Sequence, residues 1–306
     1  MARGSGGRAG LFTFTRALLA LAILSANFDD AAAQPKPRIE PKSIARTLFG
    51  HARTPAPLDP AAVGFYTHGC LAGGVALPMT GKTWQVMRPS RNRYYGHPAL
   101  VRYIERLAEK VPKLGWNGLL VGDMAQARGG PMLSGHASHQ VGLDADIWLT
   151  PMPSRELTRT EREKNSAVMV VARNRLDVDP KVWTDAHAEI IRAAANDAEV
   201  ERIFVNPAIK KALCRHAGTD RQWLRTVRPW AGHDYHFHVR LGCPPGSSDC
   251  KPQDAPPDGD GCGAELDYWF KDEVMRPKPP AKPSKPLPPL TLADLPAACR
   301  DVISAP

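Results

Sequence analysis

Ten histidines are spread along this 306-residue chain, and five of them fall in two tight clusters. The first reads Ser134-Gly-His136-Ala-Ser-His139-Gln-Val-Gly-Leu-Asp144-Ala-Asp146, and the second Gly232-His233-Asp-Tyr-His236-Phe-His238. Imidazole nitrogens and carboxylate oxygens hold catalytic zinc, which takes three protein ligands and leaves a fourth position for water. His139, Asp146 and His238 offer such a set. His236 and His238 lie two apart on a strand and so share a face, which lets one bind metal while its neighbour meets the substrate. Asp144 and Asp146 share a face by the same rule, and spacing alone does not choose between them. No His-Glu-x-x-His motif is present, which excludes the zincin type of metal site. His51, His68, His97, His187 and His216 read as ordinary polar side chains of loops and surfaces. His187 beside Asp185 is a weaker candidate for a peripheral metal site.

These residues need elements to position them. Thr83–Arg88 alternates in strand fashion, and His97-Pro98 opens a run that places Leu100, Ile104, Leu107, Ala108 and Val111 on one helical face. Gly118–Gly122 and Gly142–Leu149 read as strands, the second carrying both aspartates. Residues 160–174 form one candidate helix, and Thr184 or Asp185 caps another whose apolar face holds Ile190, Ile191 and Ala194. Arg202–Asn206 reads as a strand, Pro207 as the first turn of a short helix, and Tyr235–Leu241 as a further alternating strand. Strands and helices mixed without a regular βαβ repeat predict an α+β fold, a single domain on a small antiparallel or mixed sheet with flanking helices.

The ends differ from this body. Arg3, Arg8 and Arg16, an apolar run from Ala17 to Ala26, and Ala31-Ala32-Ala33 have the order of a secretory signal peptide over residues 1–33. The run is short of the roughly 20 residues a membrane span needs, so cleavage and no stable membrane insertion are expected. Residues 34–60, rich in proline and charge, are expected to be an extended segment, followed by the catalytic domain over 61–272. From 273 to 306 a proline-rich linker, with seven prolines between Pro277 and Pro289, leads to a tail that Cys299 fastens to the body. Six cysteines, none in a Cys-x-x-Cys pair, suit three disulfides in an exported protein. Cys243 and Cys250 flank a Pro-Pro-Gly turn that fits a local bridge. The net charge of +9 fits a polyanionic partner such as cell wall or nucleic acid and does not choose between them. No basic helix or phosphate-cradling glycine loop is present, so nucleic acid is not expected as a partner.

His139-x6-Asp146 with His236-x-His238 resembles the paired signature of the superfamily of lysostaphin-type endopeptidases, D-Ala-D-Ala metallopeptidases and the hedgehog signalling domain. The stretch Ser134–Ile147, Arg202-Ile-Phe-Val-Asn-Pro-Ala-Ile-Lys-Lys, Ala217-Gly-Thr-Asp-Arg and Gly259-Asp-Gly-Cys-Gly-Ala-Glu-Leu266 more narrowly resemble the penicillin-insensitive murein endopeptidases, from about Tyr66 to Phe270. The resemblance implies Zn2+ on His139, Asp146 and His238, with His136 as an additional histidine at the metal. It implies His236 as general base and His233 as a second active-site histidine. It implies the pairs Cys70–Cys299, Cys214–Cys262 and Cys243–Cys250. The activity implied is periplasmic hydrolysis of the D-alanyl to meso-diaminopimelyl cross-links of peptidoglycan, insensitive to β-lactams because no serine nucleophile takes part. A D,D-carboxypeptidase of the same superfamily and a non-catalytic zinc-stabilised wall-binding module are the competing readings. A homodimer is compatible with any of them.

Overall fold

The structure is a computed structural model that describes residues 39–278 and 287–306. The expected signal peptide and the middle of the proline-rich linker lie outside the described residues. From residue 39 onward the chain forms one compact unit. In chain order its strands are β1 (Ala61–Phe65), β2 (His68–Ala72), β3 (Val75–Ala76), β4 (Thr80–Gly81), β5 (Trp84–Val86), β6 (Tyr95–Gly96), β7 (Leu119–Val121), β8 (Asp144–Trp148), β9 (Val200–Val205), β10 (Val227–Pro229) and β11 (His236–Leu241). The helices are α1 (Ala45–His51), α2 (Pro98–Lys110), α3 (Arg159–Lys164), α4 (Asp185–Ala195), α5 (Pro207–His216), α6 (Ala264–Asp267), α7 (Asp272–Met275) and α8 (Ala298–Ser304). The α+β class is as the sequence predicts. No helix among the described residues is long and apolar enough to cross a membrane.

Seven strands make the principal sheet, in the order β10-β9-β11-β8-β7-β5-β4. β11 runs antiparallel to both β8 and β9, whereas β10 and β9, like β5 and β7, are parallel pairs. The sheet is therefore mixed. Along β8 and β11 side chains alternate between faces. Ala145, Ile147, Phe237 and Val239 join the main core with the apolar side of α2 and α4. Their neighbours Asp144, Asp146, His236, His238 and Arg240 all fall on the other face, and they too are buried.

Local chemistry sets the helix ends. His97 Nδ1 accepts from the Ala99 N–H at 3.1 Å and Pro98 stands at the first helical position, so α2 begins where the sequence places it. Thr184 caps α4, and the His187 ring closes a capping box with it. The predicted helix over 160–174 stops at Lys164. Beyond it Val170 N–H bonds to Asp234 O at 2.9 Å, and Val171 bridges Val178, which draws this β-branched stretch into extended backbone.

The segment over 34–60, expected to be extended, contains α1. Its Ala45 and Phe49 find a second apolar cluster made with Val63, Cys70, Leu292, Cys299 and Val302, and burial of that face overrides the proline-rich composition around it. Thus α8 and the first helix close over the β1–β2 hairpin together, with Ile44 bridging Thr291. Cys70–Cys299, Cys214–Cys262 and Cys243–Cys250 are all disulfide-bonded, the pairing that the resemblance implies.

Candidate metal centre

Strand register brings the two histidine clusters together. His238 on β11 lies directly opposite Asp146 on β8, and Arg240 lies opposite Asp144. The loop before β8 adds His136 and His139. His139 has φ +66°, a left-handed conformation rare outside glycine. That turn aims its N–H at Asp144 Oδ2, 3.1 Å away, and its ring at Asp146. His233 is also left-handed, at φ +57°. Its loop is held by Asn206, the cap of α5, whose Nδ2 donates to Gly232 O at 2.9 Å and to Asp234 Oδ1 at 2.6 Å.

The two aspartates, equivalent in sequence spacing, do different work. Asp144 accepts from His238 Nε2 at 2.8 Å and from Arg240 Nε at 2.7 Å. Burial opposes its charge, but Arg240 and then His238 outweigh it and hold the carboxyl well below the usual range. With Nε2–H committed to Asp144, His238 presents its Nδ1 to Asp146, 3.2 Å from Oδ1. Burial opposes its protonation, but the two carboxylates push the ring up to about 9. His139 Nε2 is 3.5 Å from that same oxygen, and His136 Nε2 is 3.4 Å from Oδ2. His136, His139 and Asp146 each offer a ligand atom within 4.8 Å of one another.

Polar atoms without partners make this cluster one that could hold a cation. Both ring nitrogens of His139, Asp146 Oδ1 and His236 Nδ1 are buried and make no hydrogen bond, a cost that folding tolerates only where something else satisfies them. Burial lowers the proton affinity of His139, so its ring is neutral and free to donate a lone pair. Ligands about 2.05 Å from a tetrahedral zinc lie about 3.3 Å from each other. The separations of 3.2 and 3.5 Å around Asp146 Oδ1 meet that requirement.

Asp123, which sequence reading did not single out, completes the setting. Its buried Oδ2 accepts from Arg93 at 2.9 Å, Arg91 at 3.0 Å and His136 Nε2 at 3.2 Å, and its carbonyl accepts from the Asp146 N–H. The one signal for it was an acidic residue just past the apolar strand Leu119–Val121. Burial disfavours the charged His136, yet its hydrogen bond to Asp123 and the nearby Asp146 raise its proton affinity overall.

His236 sits 3.6 Å from Asp146 Oδ1 and is kept neutral chiefly by burial. The His233 ring lies 4.9 Å from it, tilted by 43°, with Nδ1 donating to Ala231 O. Burial, followed by His236 and His238, pushes the His233 ring down to about 4. Two clefts meet at His136. One, of about 400 Å³, includes His236, Trp148 and Tyr235; the other, of about 360 Å³, includes His233, Trp230 and Phe204. The remaining histidines stand elsewhere. His97 and His187 are buried structural side chains and not surface groups: His187 is held at both nitrogens by Thr184 and Leu149 O. Asp185 pairs with His216 instead.

Residues 62–304 match the penicillin-insensitive murein endopeptidase family. The match extends past the Tyr66–Phe270 stretch to take in the tail and α8. A penicillin-insensitive murein endopeptidase of Yersinia enterocolitica is 46% identical over 260 residues, 85% of this chain and 91% of that protein. One from Haemophilus influenzae is 48% identical over 244 residues, covering 80% and 82%. One from Klebsiella pneumoniae is 46% identical over 248 residues, covering 81% and 90%. With most of its length matched and its histidine clusters folded onto one sheet face, the chain belongs to the penicillin-insensitive murein endopeptidase family.

Proposed function

We propose that this protein is a zinc-dependent endopeptidase of the periplasm that hydrolyses the D-alanyl to meso-diaminopimelyl cross-links of peptidoglycan. The observation that carries the reading is the set of buried, unpartnered nitrogens and oxygen on His139 and Asp146, completed by the Nδ1 of His238. His139, Asp146 and His238 would hold the zinc, with His136 able to join them only by leaving Asp123. A bound zinc supplies a water of near-neutral pKa and polarises the scissile carbonyl.

The chain's own groups manage the protons. His236, neutral at physiological pH and at the edge of the ligand cluster, takes the proton from the attacking water. His233 commits its Nδ1–H to Ala231 O and stays neutral, so its Nε2 is a hydrogen-bond acceptor beside His236 and the proton stays on His236. The imidazolium then protonates the leaving amine. The two clefts that meet at His136 suit a substrate with a bulky branch on each side of the scissile bond, as a cross-link has. Purified peptidoglycan digested with and without a chelator tests the reading. Cross-linked dimers should yield two monomers in the presence of zinc only; release of free D-alanine alone would point to a carboxypeptidase, and binding without turnover to a wall-binding module.

A further inference from the structure

The pairing register lays two rows across the site face of the sheet, Phe204–His238–Asp146 and, beside it, Arg202–Arg240–Asp144. The second row holds two guanidiniums and one carboxylate. Asp144 is taken by Arg240 at 2.7 Å and by His238 at 2.8 Å, and Arg240 spends a further N–H on Gln253 at 2.7 Å. Arg202 is left with a single hydrogen bond, from Nη2 to Asp254 O at 2.6 Å. Its Nε is buried without any partner, and among the described residues no carboxylate stands within ion-pair distance of its guanidinium. Glu201, next in sequence, is engaged by the Tyr66 hydroxyl at 2.7 Å. Arg202 nevertheless lines the cleft that His233 and His238 share, together with the exposed Trp230.

A half-buried guanidinium with an unpartnered Nε and no carboxylate in ion-pair contact, in a cleft that opens on the histidine cluster, is a receptor for an anion. We propose that Arg202 binds a free carboxylate of the cross-linked peptide and so selects substrates that carry one. The inference rests on the endopeptidase reading for the identity of the ligand. Two carboxylates of a cross-linked dimer could supply this chemistry: the diaminopimelyl carboxylate beside the scissile amide and the terminal D-alanyl carboxylate.

The test uses the zinc-loaded full chain and a cross-linked stem-peptide dimer in three forms: free, amidated at the diaminopimelyl carboxylate, and amidated at the terminal D-alanine. Wild-type kcat/KM should fall about 10- to 100-fold for one amidated form, the loss of one charge-assisted contact. Arg202→Gln should lose as much on the free dimer and gain no further loss from that amidation, and Arg202→Lys should recover part of it. The same ratios should appear in the calorimetric affinity of the monomeric stem peptide, which needs no turnover and no intact chemistry. The proposal is overturned if neither amidation weakens the wild type in either measurement, or if Arg202→Gln stays as sensitive to amidation as the wild type. A chain that binds the stem peptide through Arg202 yet never cuts the dimer would refute the endopeptidase reading alone.

Discussion

Replacing Asp144 by asparagine separates the two aspartates that sequence spacing leaves equivalent. Asp144 is wholly buried and accepts from Arg240 Nε, His238 Nε2 and the His139 N–H at 2.7, 2.8 and 3.1 Å. Removing one member of a buried ion pair costs about 3–5 kcal/mol. Here the lower end is expected, because Arg240 keeps Gln253 and lies 4.0 Å over the Tyr66 ring. The loss should be seen by urea unfolding of the metal-free chain. The sign of its pH dependence follows from the depressed carboxyl: Asp144 contributes stability above about pH 4, and that contribution is lost as the pH falls through its folded value. The difference between wild type and variant should therefore shrink on acidification. Zinc affinity, measured by competition with a chromophoric chelator, should weaken about 10- to 100-fold while one equivalent still binds, as for other groups that orient a ligating histidine. Asp146→Asn should instead abolish stoichiometric binding. If Asp144→Asn loses the metal outright while Asp146→Asn keeps it, the ligand assignment is reversed. If zinc affinity stays within twofold, Asp144 does not orient His238.

Three other outcomes are expected. His236→Ala should retain zinc by metal assay and lose at least about 100-fold in cross-link cleavage, whereas His139→Ala and His238→Ala should lose the metal; retained hydrolysis in His236→Ala would remove the base from that position. Burial, then the charge of Arg228, pushes Lys210 down to about 7 inside the fold, where its ammonium donates to Leu224 O and Asp260 O. Between pH 7 and about 10 the unfolded chain then binds more protons, so wild-type stability relative to Lys210→Met should rise with pH, by up to about 1.4 kcal/mol per unit, and a falling difference in the urea midpoints would contradict this. Arg128 donates to the carbonyls of Val302, Ile303, Ala305 and Pro306 at the end of α8; Arg128→Ala should raise amide exchange in α8 by about tenfold or more, with the Cys70–Cys299 disulfide still formed.

What could be read from the sequence was whatever repeats with a short period. The alternation in 142–149 and 235–241 identified the strands that carry Asp146 and His238, and the 3.6-residue pattern identified α2 and α4. Roles that depend on a partner from far along the chain could not be read this way. Whether Asp144 or Asp146 faces the cluster is decided by Arg240, which cross-strand register sets opposite Asp144. Asp123 has no periodic neighbour and acquires its role from Arg91, Arg93 and His136. α1 escaped notice because its helical face is only Ala45 and Phe49, and its partner is a tail more than 240 residues away. His187 looked like a surface histidine until α4 packed it under Trp183 and Trp116.

The same register that builds the site ties it to the core. On β8 and β11 each site residue is flanked by core residues: Asp146 by Ala145 and Ile147, His238 by Phe237 and Val239. Because side chains alternate along a strand, a slip of one residue between β8 and β11 would carry Asp146 and His238 towards the apolar layer and the apolar residues into the cleft. The penalty for burying four apolar side chains incorrectly is therefore what holds His238 against Asp146. His139, held in a left-handed turn by Asp144, contributes the opposite tendency, since such a conformation costs about 1–3 kcal/mol unless its surroundings fix it. A cation bridging His139, Asp146 and His238 would join the strained loop to the two strands, and its binding energy would then be folding energy for all three.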